Sequence, residues 1–182
     1  MTTTTETRKS MMQQQSPVFI DFEASSLDLV ASYPIEVGLC LADGTTHSWL
    51  IRPHVLWLDW SESAEKIHRI PRERLIEEGV EASDVATALN QLIPGVAYCD
   101  AWTFDSFWLH RLFRAARVTP SFQLESVSMI LNASEVALWP DVRRQVIERL
   151  DVSVHRAAND AYILLETWKD VVAGRRRSAS PS

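Results

Sequence analysis

Residues 35–51 constrain the fold more than any other stretch. Ile35, Val37, Leu39 and Leu41 recur at every second position, the period of a strand with one apolar face. The Asp-Gly pair in "ADGTT" marks a tight turn, and Thr46 to Ile51 returns as a second strand. Val18 to Phe22 reads as a further strand upstream, so the chain opens as an antiparallel meander. Helical patterns follow. Ser61 is placed to cap "ESAEKIHRI", Pro71 suits the first turn of the next helix, and Ser83 is placed to cap "DVATALNQLI" before Pro94-Gly95. "GVAYC" is a short strand, and "DSFWLHRLFRAA" is strongly amphipathic through Phe107, Leu109, Leu112 and Phe113. "EVALWPDVRRQVIERL" is helical with a break expected at Pro140. A last helix runs from about Ala157 to Val172, with Gly174 near its C-cap. Strands first, then helices alternating with strands, predict an α/β sandwich built on a mixed sheet.

Length and composition suit one domain with a sizeable core: 182 residues, 46% hydrophobic and 23% charged. Residues 1–16, rich in Thr and Gln, and residues 174–182 are expected to be disordered tails around a domain at 17–173. No apolar run reaches a membrane span and the N-terminus lacks an apolar signal segment, so a cytoplasmic protein without a membrane partner is the default. Cys40 and Cys99 lie in apolar runs and read as buried hydrophobes. A net charge of −6 argues against coating long nucleic acids by charge alone, but not against gripping a short strand or a strand end. Two arginine groups, Arg69/Arg72/Arg74 and Arg111/Arg114/Arg117, read first as solvated helix faces.

The chemistry concentrates in acids. In "VFIDFEASS" the apolar strand ends in Asp21 and Glu23, two apart and so on one face. Two carboxylates facing one cavity repel unless one is protonated or a cation lies between them. Oxygen-only ligands suit magnesium or manganese; the alternative is that Glu23 points to solvent at a frayed end. Asp105 opens the amphipathic helix, where Asp is also an ordinary first-turn residue. Asp100 reads as a strand-end turn residue. His155 precedes the last helix and Asp160 lies five residues on, about one and a half turns. Ala157, Ala158 and Ala161 allow close packing around it.

Asp21-x-Glu23, Asp105, and His155 with Asp160 five later resemble the DEDDh branch of the DnaQ-like 3'-5' exonucleases, which includes proofreading subunits, ribonuclease T and oligoribonuclease. "YPIEVGLCL" is similar to that family's second strand and "EKIHRI" to its Ile-His-Gly-Ile segment. There are departures. "DFEASSL" stands where Asp-x-Glu-Thr-Thr-Gly is usual, "DAWTFD" lacks the usual Asn, and Arg69 replaces the Gly after the helical His. None removes a metal ligand.

The resemblance implies a ribonuclease H-like fold. It implies two divalent cations, magnesium or manganese, held by Asp21, Glu23, Asp105 and Asp160, with His155 as general base. Hydrolysis of a single-stranded 3' end to nucleoside 5'-monophosphates follows, since paired metals serve attacking and leaving oxygens alike. A histidine's reference pKa near ~6.5 suits the base. Ala24 and Ser25 are expected to meet the terminal sugar by backbone, Leu27 to wedge the terminal base, Trp102 to stack, and His68 to touch a phosphate. Phe104 and Trp108 flank the second motif, with Trp108 read as core. The aromatic loop "VLWLDW" either packs on the sheet or forms a dimer surface. Related enzymes are often homodimers, which makes a homodimer an expectation here. Two other classes stand beside the exonuclease: an inactive nucleic-acid-binding or regulatory module, and a phosphoesterase acting on small nucleotides. A zinc hydrolase is disfavoured, since the five histidines show no HExxH spacing.

Overall fold

The computed structural model describes residues 16–178. Strands β1 (Val18–Ala24), β2 (Pro34–Cys40) and β3 (Thr46–Leu50) form the expected meander. Helices α1 (Glu62–His68), α2 (Arg72–Glu78) and α3 (Ala82–Leu92) follow, then β4 (Val96–Cys99) and α4 (Trp102–Ala116). Strand β5 (Gln123–Ser126), a 3-10 turn at Val127–Ile130, α5 (Ala133–Leu150) and α6 (Ala157–Ser178) complete the chain. The sheet order is β3-β2-β1-β4-β5. Its first pairs are antiparallel, whereas β4 pairs parallel to β1 and to β5. The expected tails fall largely at residues 1–15 and 179–182, outside the described residues.

Both faces of the sheet are covered, and strand alternation assigns each side chain to a face. Ile20, Phe22, Val37 and Leu39 join Leu89 of α3 and Leu112 of α4 in one core. Phe19 and Cys40 join Trp139 of α5 and Ala161, Leu164, Leu165 and Trp168 of α6 in the other. Asp21 and Glu23 share the parity of Phe19. The acids therefore project on the α6 side of β1, at the end of a strand packed on both faces. Cys40 and Cys99 are buried free thiols, as expected, and burial pushes Cys40 up to about 12.

Helix α6 meets β2 without a spacer. A Cβ added at Gly38 would land inside the backbone of Ala157 and Ala158. Only glycine on the strand permits this approach, which seats the first turn of α6, and with it Asp160, against the sheet.

Several boundaries differ from expectation. Ser61 does cap α1, accepting from the Ala64 N–H at 3.3 Å. Pro71 sits at the N-cap of α2 rather than inside its first turn. Ser83 lies within α3, whose N-cap is Glu81. Helix α5 runs unbroken through Pro140. Pro140 and Val136 are both exposed, so the carbonyl that the proline leaves without an N–H faces water. Gly174 lies inside α6, which continues to Ser178. Strand β5 is an addition that the sequence reading did not contain: "QLES" is too short and polar to show a period. In the loop before α1, Trp57 is buried and stacks on Tyr33 at 5.2 Å, so its part of that loop packs on the core.

Candidate metal-dependent active site

A cavity of ≈ 330 Å³ opens where β1 ends. Asp21, Glu23, Asp105, His155 and Asp160, drawn from three separate stretches of the chain, all line it. Ligand oxygens of Asp21, Glu23 and Asp160 lie within 4.8 Å of one another. Asp105 is not part of that close group, but it faces the same cavity from the first turn of α4.

The electrostatics are those of crowded acids. Burial raises Asp21 well above the carboxylate range, and Asp105, Asp160 and Glu23 raise it further. Glu23 is pushed up to about 8, by burial first and then by Asp160 and Glu36. Burial lifts Asp105 to about 7 against hydrogen bonds from Cys99 and Ala101. Asp160 is raised by burial, although Arg143 and backbone N–H groups at 155–156 oppose the shift. The Arg156 N–H reaches its Oδ2 at 3.1 Å. Asp105 Oδ2 is buried with no hydrogen-bond partner. Converging, like-charged, under-satisfied oxygens fit a hard divalent cation: one placed there would supply the missing counter-charge and partner together.

Glu36, opposite Glu23 in the β1/β2 register, has a different part. It accepts from Arg156 Nε at 3.1 Å and Nη2 at 2.7 Å, the Ala157 N–H at 3.1 Å and Ser48 Oγ at 2.9 Å. These bonds clamp the chain between His155 and Asp160 onto β2. His155 itself is exposed, with φ 61° in the left-handed region, as the chain turns into α6.

The expected substrate contacts divide. Ala24 and Leu27 line the cavity, Leu27 at its rim with 71% exposure. His68 also lines it, buried, with Nε2 lacking a partner while Nδ1 accepts the Ile70 N–H. Ser25 does not line it. Its hydroxyl donates to Asp59 at 2.7 Å and accepts from the Tyr33 N–H, while its N–H and C=O bond to Tyr33 and Ser61. Ser26 lines the wall instead. Trp102 lies outside the cavity too, because its Nε1–H donates to the Leu124 carbonyl at 3.0 Å and holds the ring over a neighbouring hollow. Phe104 and Trp108 provide the cavity's aromatic wall.

Arg143 is the residue that the sequence reading missed. It faces the cavity and pairs with Asp160 at 3.5 Å and Asp100 at 3.8 Å. Its signal was present: it falls four residues after Trp139 and three before Val146, on the buried stripe of α5.

No family model matches the sequence, and no curated protein matches it. Solved structures do match. E. coli exonuclease I with a thirteen-nucleotide oligo-dT superimposes with a TM-score of 0.69 at 14% identity, covering 90% of this chain and 42% of that one. Product-bound exonuclease I gives 0.67 at 16%, covering 91% and 45%. The zinc-bound E. coli exonuclease I complex with single-stranded DNA gives 0.65 at 15%, covering 88% and 41%. The present chain thus spans less than half the length of these structures. The likeness establishes the fold: a ribonuclease H-like mixed sheet flanked by helices. Among the described residues no helix is long and apolar enough to cross a membrane.

Proposed function

We propose that the protein is a metal-dependent 3'-5' exonuclease that hydrolyses single-stranded nucleic acid to nucleoside 5'-monophosphates. One observation carries this: Asp21, Glu23, Asp105 and Asp160 share a single cavity with His155, where four acids crowd around one nearby guanidinium, that of Arg143, and Asp105 Oδ2 is buried without a hydrogen-bond partner. The fold shared with exonuclease I, described with bound single-stranded DNA, supports the substrate class.

Asp21, Glu23, Asp105 and Asp160 would hold two divalent cations, magnesium or manganese. When bound, such ions activate water and stabilise charge on the attacking and leaving oxygens. His155, exposed at the cavity rim, takes the proton from the attacking water. The Glu36–Arg156 clamp fixes the turn that carries it. Arg143 places a guanidinium beside the scissile phosphate. Leu27 abuts the terminal base, Phe104 and Trp108 wall the nucleoside, and the free Nε2 of His68 meets a phosphate oxygen.

The test is turnover of 5'-labelled single-stranded DNA or RNA with manganese or magnesium. The expected result is a ladder shortened from the 3' end, abolished by chelator and by His155→Ala. Turnover of free nucleotides without a ladder would replace the reading with a phosphoesterase. Binding without turnover would replace it with a regulatory module.

A further inference from the structure

Arginines crowd a second hollow, ≈ 390 Å³, between the end of α4 and the loop before α1. Arg111, Arg114 and Arg117 line it with His54, Leu56 and Trp57, and its wall contains no carboxylate. Among the described residues none of these arginines has an ion-pair partner. Arg69 and Arg72 likewise have no ion pair, whereas Arg52, Arg74, Arg143, Arg144, Arg149 and Arg156 are paired, and what sets the three apart is that they line one hollow in a chain that carries −6 overall. The carbonyl end of a helix tolerates cations, but guanidiniums gathered at one hollow repel, and an anion relieves that repulsion.

The loop after β1 runs from the rim of the catalytic cavity to an arginine of this hollow. Arg111 Nη1 donates to the Val30 carbonyl at 2.8 Å, in the loop after β1. Leu27 of the same loop stands at the cavity rim. That loop carries exposed apolar side chains, Leu27 at 71%, Leu29 at 40% and Val30 at 83%, with exposed Asp28 among them turned back onto the Val30 and Ala31 N–H groups. Apolar surface for bases beside cations for phosphates is the pattern of a single-strand track. An acidic protein partner would have no use for an apolar strip that leads into the catalytic cavity.

We infer that this arginine hollow holds backbone phosphates of the strand upstream of the 3' end seated in the active site, an inference that rests on the nuclease reading.

The test is binding, read separately from cleavage. Fluorescent oligothymidylates, a dinucleotide and one of about fifteen nucleotides, are titrated by anisotropy in chelator against wild type and Arg114→Ala/Arg117→Ala. Arg111 is left in place because it ties down the Val30 loop, and unchanged thermal melting controls for folding. The double variant should bind the longer oligomer roughly 10-fold more weakly, and its salt slope should fall by about 1.4, near ~0.7 per lost phosphate contact on single strands. Dinucleotide binding should not change. Unchanged affinity and slope for the longer oligomer would overturn the inference and leave the nuclease reading standing. Polyglutamate bound as tightly as the oligomer, and lost in the same variant, would overturn it in favour of an acidic protein. Arginine-dependent binding of an oligomer that is never shortened with manganese would support the hollow and remove the nuclease reading.

Discussion

Glu23 and Glu36 face each other across β1 and β2, on the same side of the sheet, and their environments are opposite. Glu36 is 1% exposed, yet its carboxyl lies below the usual range, because Arg156, the Ala157 N–H and Ser48 outweigh its burial. Glu23 is only half-buried and is pushed up to about 8. Burial alone does not set the fate of a carboxylate; the donors around it do. The fold surrounds Glu36 with donors and so ties α6 to the sheet. It leaves Glu23 facing Asp160 and Asp21 instead. A cluster in which acids outnumber the cations beside them is the kind of place that a metal cation fills.

The contrast can be broken from either side. The largest effect is expected on the unsatisfied side: Asp21→Asn should lower metal-dependent turnover by roughly 10³-fold or more, the scale of losing one catalytic electrostatic group. Melting temperature should not fall, since the substitution also removes a repelling charge. A variant that keeps more than about a tenth of wild-type turnover would contradict the assignment.

Gly38→Ala comes next. Its Cβ would collide with the backbone of Ala157 and Ala158, so denaturant unfolding should show a loss of roughly 3 kcal/mol or more. Turnover should fall with it, since α6 carries Asp160. Glu36→Ala acts from the satisfied side and leaves Arg156 without its partner. The expected loss is about 2–3 kcal/mol, below the full range for a buried pair because Arg156 retains some solvent. An unchanged midpoint would mean that the clamp does not hold α6.

The smallest effect is a pH slope. In the metal-free protein Glu23 keeps its proton to about 8, against 4.5 for an ordinary glutamate. The folded state therefore binds more protons across that window, and stability present at the acid end is lost as pH rises towards 8. Melting temperature should fall across this range less steeply in Glu23→Gln than in wild type, and saturating magnesium should flatten the wild-type slope. Glu36 has the opposite sign: its contribution is present above the ordinary glutamate range and is lost on acidification through its lowered pKa.

The parts legible in the sequence were those with a period or a repulsion. Alternation revealed β2, an apolar run β1 and an Asp-Gly turn the return of β3, and the parity of Asp21 and Glu23 placed them on one face before any partner was known. Asp105, His155 and Asp160 were found through order along the chain, since nothing local marks them as neighbours. What escaped was tertiary. The Glu36–Arg156 clamp joins residues 120 apart in sequence. Ser25 looked available as part of a motif, yet Asp59 and Tyr33, in other segments, take its polar groups. Trp102 looked free to stack, yet β5, itself too short to show in the sequence, accepts its N–H. Arg143 lay on a helix stripe whose buried face only the packed structure defines.

The claim that the unsatisfied carboxylates exist to hold divalent cations is tested most directly by titrating the protein with manganese, following free ion by electron paramagnetic resonance. Saturable uptake by wild type and by Glu36→Gln, with loss in Asp21→Asn and Glu23→Gln, is the predicted result. No saturable uptake by wild type, or uptake unchanged in Asp21→Asn, would contradict it.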